Sequence, residues 1–312
     1  MADRQHPPHP PGLIDRLPPV RGRYEAQAPI ARYTWFRAGG PAEILYRPAD
    51  VTDLANFLAG KPDDVPVTML GVGSNMLVRD GGIPGVVVRL GRPFSTIRIE
   101  GTQISAGAMA LDYNVAKAAR DAGIAGFEFL AGIPGTIGGG LRMNAGAYGR
   151  ELKDLVIEVM ALTPQGDIEA LALEDWAPRY RGCGVPTDWI FTGCAMEGAW
   201  GNSDDIARAM ELVQEAREET QPIRTRTGGS TFKNPNGQKA WELIDRAGCR
   251  GLRLGNAQVS EKHCNFLVNL GGATAADIEG LGEEVRRRVR DATGIELEWE
   301  LERIGVPAGD PS

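Results

Sequence analysis

The sequence contains little histidine or cysteine and no long hydrophobic run. Its three histidines are His6, His9 and His263, and its four cysteines lie apart without a C-x-x-C pair. Because this distribution offers no zinc-ligand spacing, we predict no metal site and four reduced thiols rather than a disulfide framework. No eighteen consecutive residues are apolar, so we expect no membrane-spanning helix.

Positive charge is also scarce. The 312 residues include 34 Lys and Arg against 41 Asp and Glu, which gives a net charge of −7, and no basic run alternates with aromatic residues. These properties argue against nucleic acid as a partner. The first nineteen residues hold six prolines and no apolar stretch of signal-peptide length. We therefore predict disordered tails at residues 1–22 and 306–312, and a cytoplasmic location.

Glycine, in contrast, is abundant. The chain has 41 glycines, roughly double the usual ~7% of residues. They are concentrated in a few stretches, which indicates loops. The length allows two or three domains, each with a core of its own.

The order of strand-like and helix-like segments predicts three units. The first unit, residues 23–92, alternates apolar strands with a helix in "DVTDLANFLAG". The second unit, residues 93–220, contains a hairpin near Gly101, a helix capped by Asp112, a hairpin near Gly166 and a charged helix from about Asp204 to Glu219.

The third unit, residues 221–305, begins in the crossing segment "TQPIRTRTGGSTFKNP". Thr274 and Asp277 have the spacing of a capping box. The helix that they start places Ile278, Leu281, Val285 and Val289 on one face and ends at Gly294. A last strand is predicted in "IELEWELERIG".

Two glycine-rich stretches are candidates for ligand binding. "LGVGSNMLVRDGG" nearly matches the dinucleotide fingerprint G-x-G-x-x-G, but Met76 occupies the third glycine position and no helix pattern follows, which disfavours an ordinary Rossmann site. Its backbone N–H groups can still form an anion-binding nest, with Ser74 and Asn75 as added donors. The alternative is a tight turn without a ligand.

The second stretch, "GIPGTIGGGLRMNAGAYG", holds seven glycines in eighteen residues, with Asn144 placed to cap a turn. Two such stretches on two α/β units favour a pyrophosphate-bearing ligand between them, because phosphates need bare N–H groups and a flat ring needs close backbone. The pattern does not identify the nucleotide.

Six motifs, in the order of the chain, carry a family resemblance: "TWFRAGG", "GVGSNMLVRDGGIPGVVVRL", "GFEFLAGIPGTIGGGLRMNAGAYG", "PRYRGCG", "GGSTFKNP" and "ELEWELERIG". From about Tyr33 to Gly305 the chain resembles the UDP-N-acetylenolpyruvoylglucosamine reductases. The resemblance implies a mixed α+β and α/β fold: a two-subdomain FAD-binding fold of the vanillyl-alcohol-oxidase type, followed by a C-terminal α/β substrate-binding domain.

The resemblance also implies the cofactor and its binding residues. The cofactor is FAD, and it is expected to be noncovalent because the span from Pro10 to Gly182 contains no histidine or cysteine that could tether it. The expected FAD-binding residues are Arg37; Gly71, Val72, Gly73, Ser74, Asn75, Met76 and Leu77; and Gly132, Ile133, Pro134, Gly135, Thr136, Gly138, Gly139, Asn144, Ala145 and Gly146.

Three residues match the catalytic positions of the family. Reduction of an enolpyruvyl ether leaves negative charge beside a carboxylate, so the site must stabilise an enolate and protonate a carbanion. The resemblance makes Ser230 the proton donor, and makes Arg181 and Glu300 the enolate-stabilising pair. The expected substrate-binding residues are Tyr180, Lys233, Asn234, His263, Arg224 and Arg226, of which the last two could contact the diphosphate of UDP or the phosphate of NADPH.

The implied function is an NADPH-dependent reduction of UDP-N-acetylglucosamine enolpyruvate in peptidoglycan precursor synthesis, by a monomer. The chain departs from the family pattern at Cys183, Cys264 and Glu302, and it lacks room for an extra substrate-capping loop, so it resembles the shorter type of these enzymes. Two alternatives stay open: an FAD-dependent sugar or hydroxy-acid oxidase of the same fold, and a flavin-binding protein without turnover.

Overall fold

The computed structural model describes residues 12–309. Within this range there are eight α-helices: α1 Leu13–Arg16, α2 Val51–Gly60, α3 Asp112–Asp121, α4 Ile137–Met143, α5 Leu173–Trp176, α6 Ser203–Thr220, α7 Ala240–Arg246 and α8 Ala275–Thr293. None of the helices in this range is long and apolar enough to cross a membrane.

The same range contains nineteen strands, several of only two residues. They are β1 Arg23–Pro29, β2 Pro41–Arg47, β3 Val67–Met69, β4 Met76–Val78, β5 Ile83–Val88, β6 Ile97–Glu100, β7 Gln103–Gly107, β8 Ile124–Ala125, β9 Gly146–Ala147, β10 Arg150–Glu151, β11 Val156–Leu162, β12 Ile168–Ala172, β13 Ile190–Glu197, β14 Ala199–Trp200, β15 Arg226–Thr227, β16 Arg253–Leu254, β17 Ala257–Val259, β18 Leu267–Asn269 and β19 Glu302–Ile304.

The first sheet has the strand order β1-β2-β5-β3, in which β2 and β3 both run parallel to β5. Helix α2 covers it in the position that the hydrophobic spacing predicts, because Leu54 and Phe57 are fully buried and the Phe57 ring lies 4.6 Å from that of Tyr46. Asp50 caps the helix by accepting a hydrogen bond from the backbone N–H of Asp53.

The second sheet, β12-β11-β13-β7-β6, is antiparallel throughout. Both predicted hairpins are present: the β6–β7 turn contains Gly101 at φ 62°, and the β11–β12 turn contains Gly166 at φ 89°, a backbone conformation that favours glycine. The apolar faces of α3 and α6 pack into the same core.

The third sheet has the order β15-β18-β17-β16, and α7 and α8 share a core with one of its faces. Leu267 and Ala257 belong to that core, whereas Gln258 and Val268 line an open cleft on the opposite face. The predicted capping box of α8 is confirmed, and the helix ends at Gly294 with φ 75°.

The C-terminal strand β19 lies outside the third sheet. It pairs in parallel with β4, next to the first glycine-rich stretch. Beyond it, the backbone of Val306 exchanges hydrogen bonds with Gly81 and Gly82, each 2.9 Å long. The Asp80 carboxylate, also beside β4, accepts the first two backbone N–H groups of α8 at 2.9 Å. The N-terminal and C-terminal parts are thus joined at one edge.

The N-terminal segment differs from the prediction where the structure describes it. Residues 12–22 include α1, whose Arg16 pairs with Asp64 at 2.6 Å, and the Tyr24 hydroxyl donates to the Pro18 carbonyl at 2.9 Å. Packing overrides the proline-rich composition here. Residues 1–11 and 310–312 of the predicted tails, with His6 and His9, lie outside the described range.

Two local predictions also need correction. Asp112 is the first residue of α3 rather than its cap, which is Leu111, and its carboxylate is buried with neither oxygen bonded to another described residue. Burial raises the pKa of Asp112 to about 8. The last strand is shorter than predicted, because only Glu302–Ile304 pairs and Glu300 lies just before it.

Candidate active site

The three predicted catalytic residues lie around one cavity of about 240 Å³, between the third sheet and the segment that precedes β19. The residues that line it are Arg181, Ser230, Phe232, Asn234, Lys239, Trp241, His263, Asn265 and Glu300.

Arg181 and Glu300 form an ion pair in this cavity. The Arg181 Nε donates to the Glu300 Oε1 at 2.8 Å, and the two side chains are only 20% and 13% exposed. Burial raises the pKa of Glu300, and the Arg181 guanidinium opposes that shift. Arg181 also has a left-handed backbone at φ 54°, which costs free energy in a residue other than glycine and is found often at functional sites.

Ser230 is fixed through the residues that follow it. The backbone N–H of Thr231 donates to the Asn265 carbonyl, and the Asn265 side chain bonds both the N–H and the carbonyl of Phe232. The Thr231 carbonyl accepts the N–H of Glu300 at 2.8 Å. The Ser230 and Glu300 backbones are therefore held in one hydrogen-bonded unit.

Four predicted substrate residues lie in or near the cavity. Asn234 and His263 line it, and the Tyr180 hydroxyl accepts the backbone N–H of Asn234 at 3.4 Å. Lys233 lies 3.6 Å from Glu298, and its positive charge acts with that of Arg181 against the rise in the pKa of Glu300. Burial lowers the pKa of His263, which favours the neutral imidazole.

The two predicted arginines lie elsewhere. Arg224 lines a larger cleft of about 730 Å³, together with Arg253 and Lys262, between the end of α6 and the open face of the third sheet. The turn from Ser260 to His263 separates this cleft from the catalytic cavity, since Ser260 lines the cleft and His263 the cavity. Arg226 is exposed in β15 and lines neither space.

The first glycine-rich stretch, Gly71–Leu77, runs into β4 without a helix, as predicted. Gly73 has φ 66°, and a Cβ there would overlap the Tyr33 carbonyl, so only glycine fits. Trp35 of the "TWFRAGG" motif donates its backbone N–H to the Gly73 carbonyl at 3.0 Å. Arg37, in the same motif, is exposed and bonds the Arg32 carbonyl.

The second stretch differs from the loop that its composition predicts. Residues Ile137–Met143 form α4, and most of the glycines make room for protein atoms: a Cβ on Gly135 would lie 2.7 Å from the Asp112 Oδ2, and one on Gly138 would lie 2.9 Å from the Ala108 Cβ. Asn144 ends the helix in the left-handed conformation at φ 41° and is fully buried.

A smaller group of glycines forms an open cradle between the two stretches. A Cβ on Gly71 or on Gly139 would meet only the Thr136 Oγ1, at 3.3 and 3.7 Å, and one on Gly229, beside Ser230, would meet only the Ser74 carbonyl at 3.7 Å. The stretches thus approach each other at Thr136, with bare backbone on both sides. This arrangement suits a ligand whose phosphates bind backbone N–H groups, and its residues fit FAD.

Sequence reasoning missed four residues that line the cavity. Phe232 lies in the "GGSTFKNP" motif, and Asn265 lies only two residues after His263, which was itself predicted. Lys239 and Trp241 lie at the start of α7, whose ordinary amphipathic pattern does not indicate a site. Cys264, one of the departures from the family pattern, donates its thiol to the Trp241 carbonyl at 2.9 Å and so anchors that helix.

Comparison with known proteins gives matches over nearly the whole chain. Residues 42–172 match the FAD binding domain family, and residues 221–304 match the C-terminal domain family of UDP-N-acetylenolpyruvoylglucosamine reductase. The enzyme of that name from Parvibaculum lavamentivorans is 62% identical over 94% of this chain and 95% of its own. The one from Rhodospirillum rubrum is 58% identical over 94% of each chain.

A solved structure agrees with these matches. The crystal structure of UDP-N-acetylenolpyruvylglucosamine reductase from Thermus caldophilus covers 92% of this chain and 100% of its own, with 35% identity and a TM-score of 0.79. The predicted fold, an FAD-binding part followed by a separate C-terminal domain, is confirmed.

Proposed function

The chain belongs to the UDP-N-acetylenolpyruvoylglucosamine reductase family, and from this premise we propose that it reduces UDP-N-acetylglucosamine enolpyruvate to UDP-N-acetylmuramate with NADPH as donor. It is an FAD-containing oxidoreductase. The observation that carries the proposal is the part-buried Arg181–Glu300 pair in the same cavity as Ser230, beside the glycine cradle.

When bound, FAD supplies hydride transfer between the nicotinamide donor and the enolpyruvyl double bond. In our proposal the bare backbone of Gly71 and Gly139 and the hydroxyl of Thr136 hold its pyrophosphate. The nearness of Gly229 to Ser74 brings the Ser230 segment against the same cradle. This supports one shared site for cofactor chemistry and proton transfer.

The Arg181–Glu300 pair meets the electrostatic need of the reaction. Adding hydride to the carbon remote from the carboxylate leaves negative charge on the neighbouring carbon and spreads it into the carboxylate. A guanidinium already held by a buried carboxylate needs no reorganisation as this charge develops. Glu300 orients Arg181, and the low exposure of both side chains limits screening by water.

Ser230 is proposed to protonate the carbanion. An alcohol is a weak acid, but a carbanion is a much stronger base than the alkoxide that remains, and Lys233 and Arg181 supply positive charge near it. The hydrogen bonds of Thr231 and Phe232 restrain the backbone on which Ser230 depends. That restraint supports delivery of the proton to one face of the carbon.

The larger cleft is proposed to take the UDP part of the substrate. Its three cations, Arg224, Arg253 and Lys262, suit a diphosphate and outnumber its two carboxylates, Glu218 and Glu261. The cleft adjoins the catalytic cavity at the Ser260–His263 turn. Arg226 lines neither space, so its position does not support a role in binding the substrate. We also propose that the enzyme acts as a monomer in the cytoplasm, as its sequence suggests.

Anaerobic flavin spectroscopy tests the function. NADPH is added to the purified protein and UDP-N-acetylglucosamine enolpyruvate follows, while the absorbance of oxidised flavin is recorded. We expect bleaching by NADPH and return of colour with the sugar nucleotide. Bleaching that only oxygen reverses would favour the oxidase, and a flavin that NADPH does not bleach would favour a binding protein.

A further inference from the structure

One side chain joins the first glycine-rich stretch to the catalytic pair. The Nδ2 of Asn75 donates to the backbone carbonyl of Glu300 at 3.0 Å, across 225 residues of sequence, and its second neighbour is the Met143 Sδ, also at 3.0 Å. Both neighbours are acceptors only, so the amide nitrogen must be the group that faces them.

The Asn75 backbone strengthens the same connection. Its carbonyl accepts the N–H of Glu302 at 3.1 Å, where β19 begins to pair with β4. Asn75 therefore bonds Glu300 through its side chain and Glu302 through its backbone, one residue on each side of Leu301. The Glu300 backbone cannot shift along β4 without breaking one of these bonds.

The position of Glu300 matters because its surroundings leave little freedom. Its N–H donates to the Thr231 carbonyl at 2.8 Å, and its carboxylate accepts from Arg181 at 2.8 Å with 13% side-chain exposure. A small displacement of the backbone would lengthen the bond to Arg181. It would also disturb the Thr231 carbonyl, one residue from Ser230.

We propose that Asn75 is a positioning residue for Glu300, separate from any contact that the backbone of this stretch makes with FAD. The inference rests on the proposed function. Through Asn75, the segment that binds the cofactor also sets the geometry of the pair that stabilises the enolate. The side chain at this position must be short and must carry a donor, which asparagine provides and aspartate does not.

The test compares the two half-reactions in Asn75→Ala and Asn75→Asp. Reoxidation of the reduced protein by the sugar nucleotide should slow by about 10- to 100-fold, the effect expected of a misplaced catalytic group. Asn75 lies in the stretch expected to bind FAD, so the Kd for FAD is measured first, by titrating apoprotein and following flavin fluorescence. Both half-reactions are then followed at saturating FAD, where flavin reduction by NADPH should slow much less than reoxidation. Equal slowing of both half-reactions, or loss of FAD binding, would overturn the proposal.

A double-substitution experiment separates positioning from general damage. In a Glu300→Gln background, where the group to be positioned has lost its charge, Asn75→Ala should slow reoxidation only slightly further. If the two effects multiply instead, Asn75 acts independently of Glu300 and the proposal fails.

Asn269→Ala is the matched control. The Asn269 Nδ2 also donates to a distant backbone carbonyl, that of Phe36 at 2.8 Å, and it joins the same two parts of the chain without bonding Glu300. Its Oδ1 also accepts the N–H groups of Gly271 and Ala273, so this substitution removes more bonds than Asn75→Ala does. It should lower thermal stability without changing the ratio of the two half-reaction rates. A similar change in that ratio would mean that any lost contact between the parts has this effect, and would overturn the proposal.

The unsubstituted protein distinguishes the two failures. If the sugar nucleotide does not reoxidise it, the proposed function is wrong. If it does, and Asn75→Ala behaves normally, the positioning role alone is wrong.

Discussion

Among the residues of the site, Arg181 combines a left-handed backbone with a buried carboxylate partner. Such a backbone costs about 1–3 kcal/mol and persists only where its surroundings impose it. The turn that contains Arg181 does so: Arg179 and Gly182 exchange two backbone hydrogen bonds, at 2.9 and 3.1 Å, and the Asn144 side chain donates to the Arg179 carbonyl at 3.3 Å. Asn144 belongs to the second glycine-rich stretch, so this bond joins a segment proposed to bind the cofactor to the segment that carries Arg181.

Removing the hydroxyl of Ser230 tests the proposed acid. In Ser230→Ala, protonation by this group is lost, so reduction of the sugar nucleotide should slow by about 10²- to 10⁴-fold while flavin reduction by NADPH continues. Stopped-flow absorbance of the two half-reactions measures this. Ser95→Ala, which removes an exposed hydroxyl bonded to the Arg92 carbonyl, is the control. If both half-reactions slow equally in Ser230→Ala, Ser230 is not the acid.

Asp112 should make stability depend on pH. Its pKa is about 8 in the folded protein because of burial, against about 4 in an unfolded chain. Between these values only the folded state keeps the proton, so this group's contribution to the free energy of unfolding is greatest below pH 4 and falls by about 1.4 kcal/mol per pH unit until about pH 8.

Urea unfolding of Asp112→Asn at several pH values isolates this effect. The variant carries no titrating group at this position, so its stability relative to the unsubstituted protein should rise between pH 5 and pH 8. A constant difference over that range would show that the carboxyl is ionised in the folded protein at all these values.

At the level of elements, α8 contains two glycines that should respond oppositely to the same substitution. A Cβ on Gly282 would overlap the Trp299 ring, whereas one on Gly280 would meet only the end of the half-exposed Leu254 side chain, which can move. Alanine favours a helix over glycine by about 1 kcal/mol. Gly280→Ala should therefore stabilise the protein, and Gly282→Ala should destabilise it.

The urea concentration at the midpoint of unfolding, measured for each variant, tests these two opposite changes in stability. Trp299 packs on Phe232 with ring centroids 5.0 Å apart. Gly282→Ala should therefore also slow the reaction with the sugar nucleotide, because Trp299 precedes Glu300 and Phe232 lies two residues after Ser230. Stabilisation by Gly282→Ala would mean that Trp299 has room to move.

The elements that sequence predicted well are those specified locally. Helix α8 has its cap, its apolar face and its terminal glycine within 21 residues, and the two hairpins carry glycine at the turn. Helix α4 was missed because its glycines disfavour a helix, and it forms through contacts with distant residues such as Ala108 and Leu152 that no local pattern contains.

For the molecule as a whole, motif order predicted Ser230, Arg181 and Glu300 as the catalytic residues, but it could not show that they share a cavity. The Arg181–Glu300 bond joins residues 119 positions apart, and the Asn75–Glu300 bond joins residues 225 positions apart. The identity of a side chain does not indicate which distant residue it contacts. The placement of Arg226 outside both spaces illustrates the same limit, since Arg224 is only two residues away.

The pairing of β19 with β4 should be essential to the assembled molecule. Shortening the chain after Leu301 removes the β19–β4 pairing and four backbone hydrogen bonds that flank it, made by Glu302, Ile304 and Val306. At about 1 kcal/mol each, these four bonds alone should contribute about 4 kcal/mol. We expect a lower urea midpoint and loss of bound FAD. Shortening after Ala308 keeps these bonds and is the control; equal behaviour of the two truncated chains would show that β19 is dispensable.

The long sequence separation of the Arg181–Glu300 contact also bears on the order in which the chain assembles. The hairpins close short loops, whereas this pair requires distant parts to dock, and such contacts are entropically expensive and slow to form. Docked parts of a chain can also separate locally while each keeps its own core. Mild denaturant should therefore abolish turnover while the sheets are still intact, and activity would report partial opening before any spectroscopic signal of unfolding.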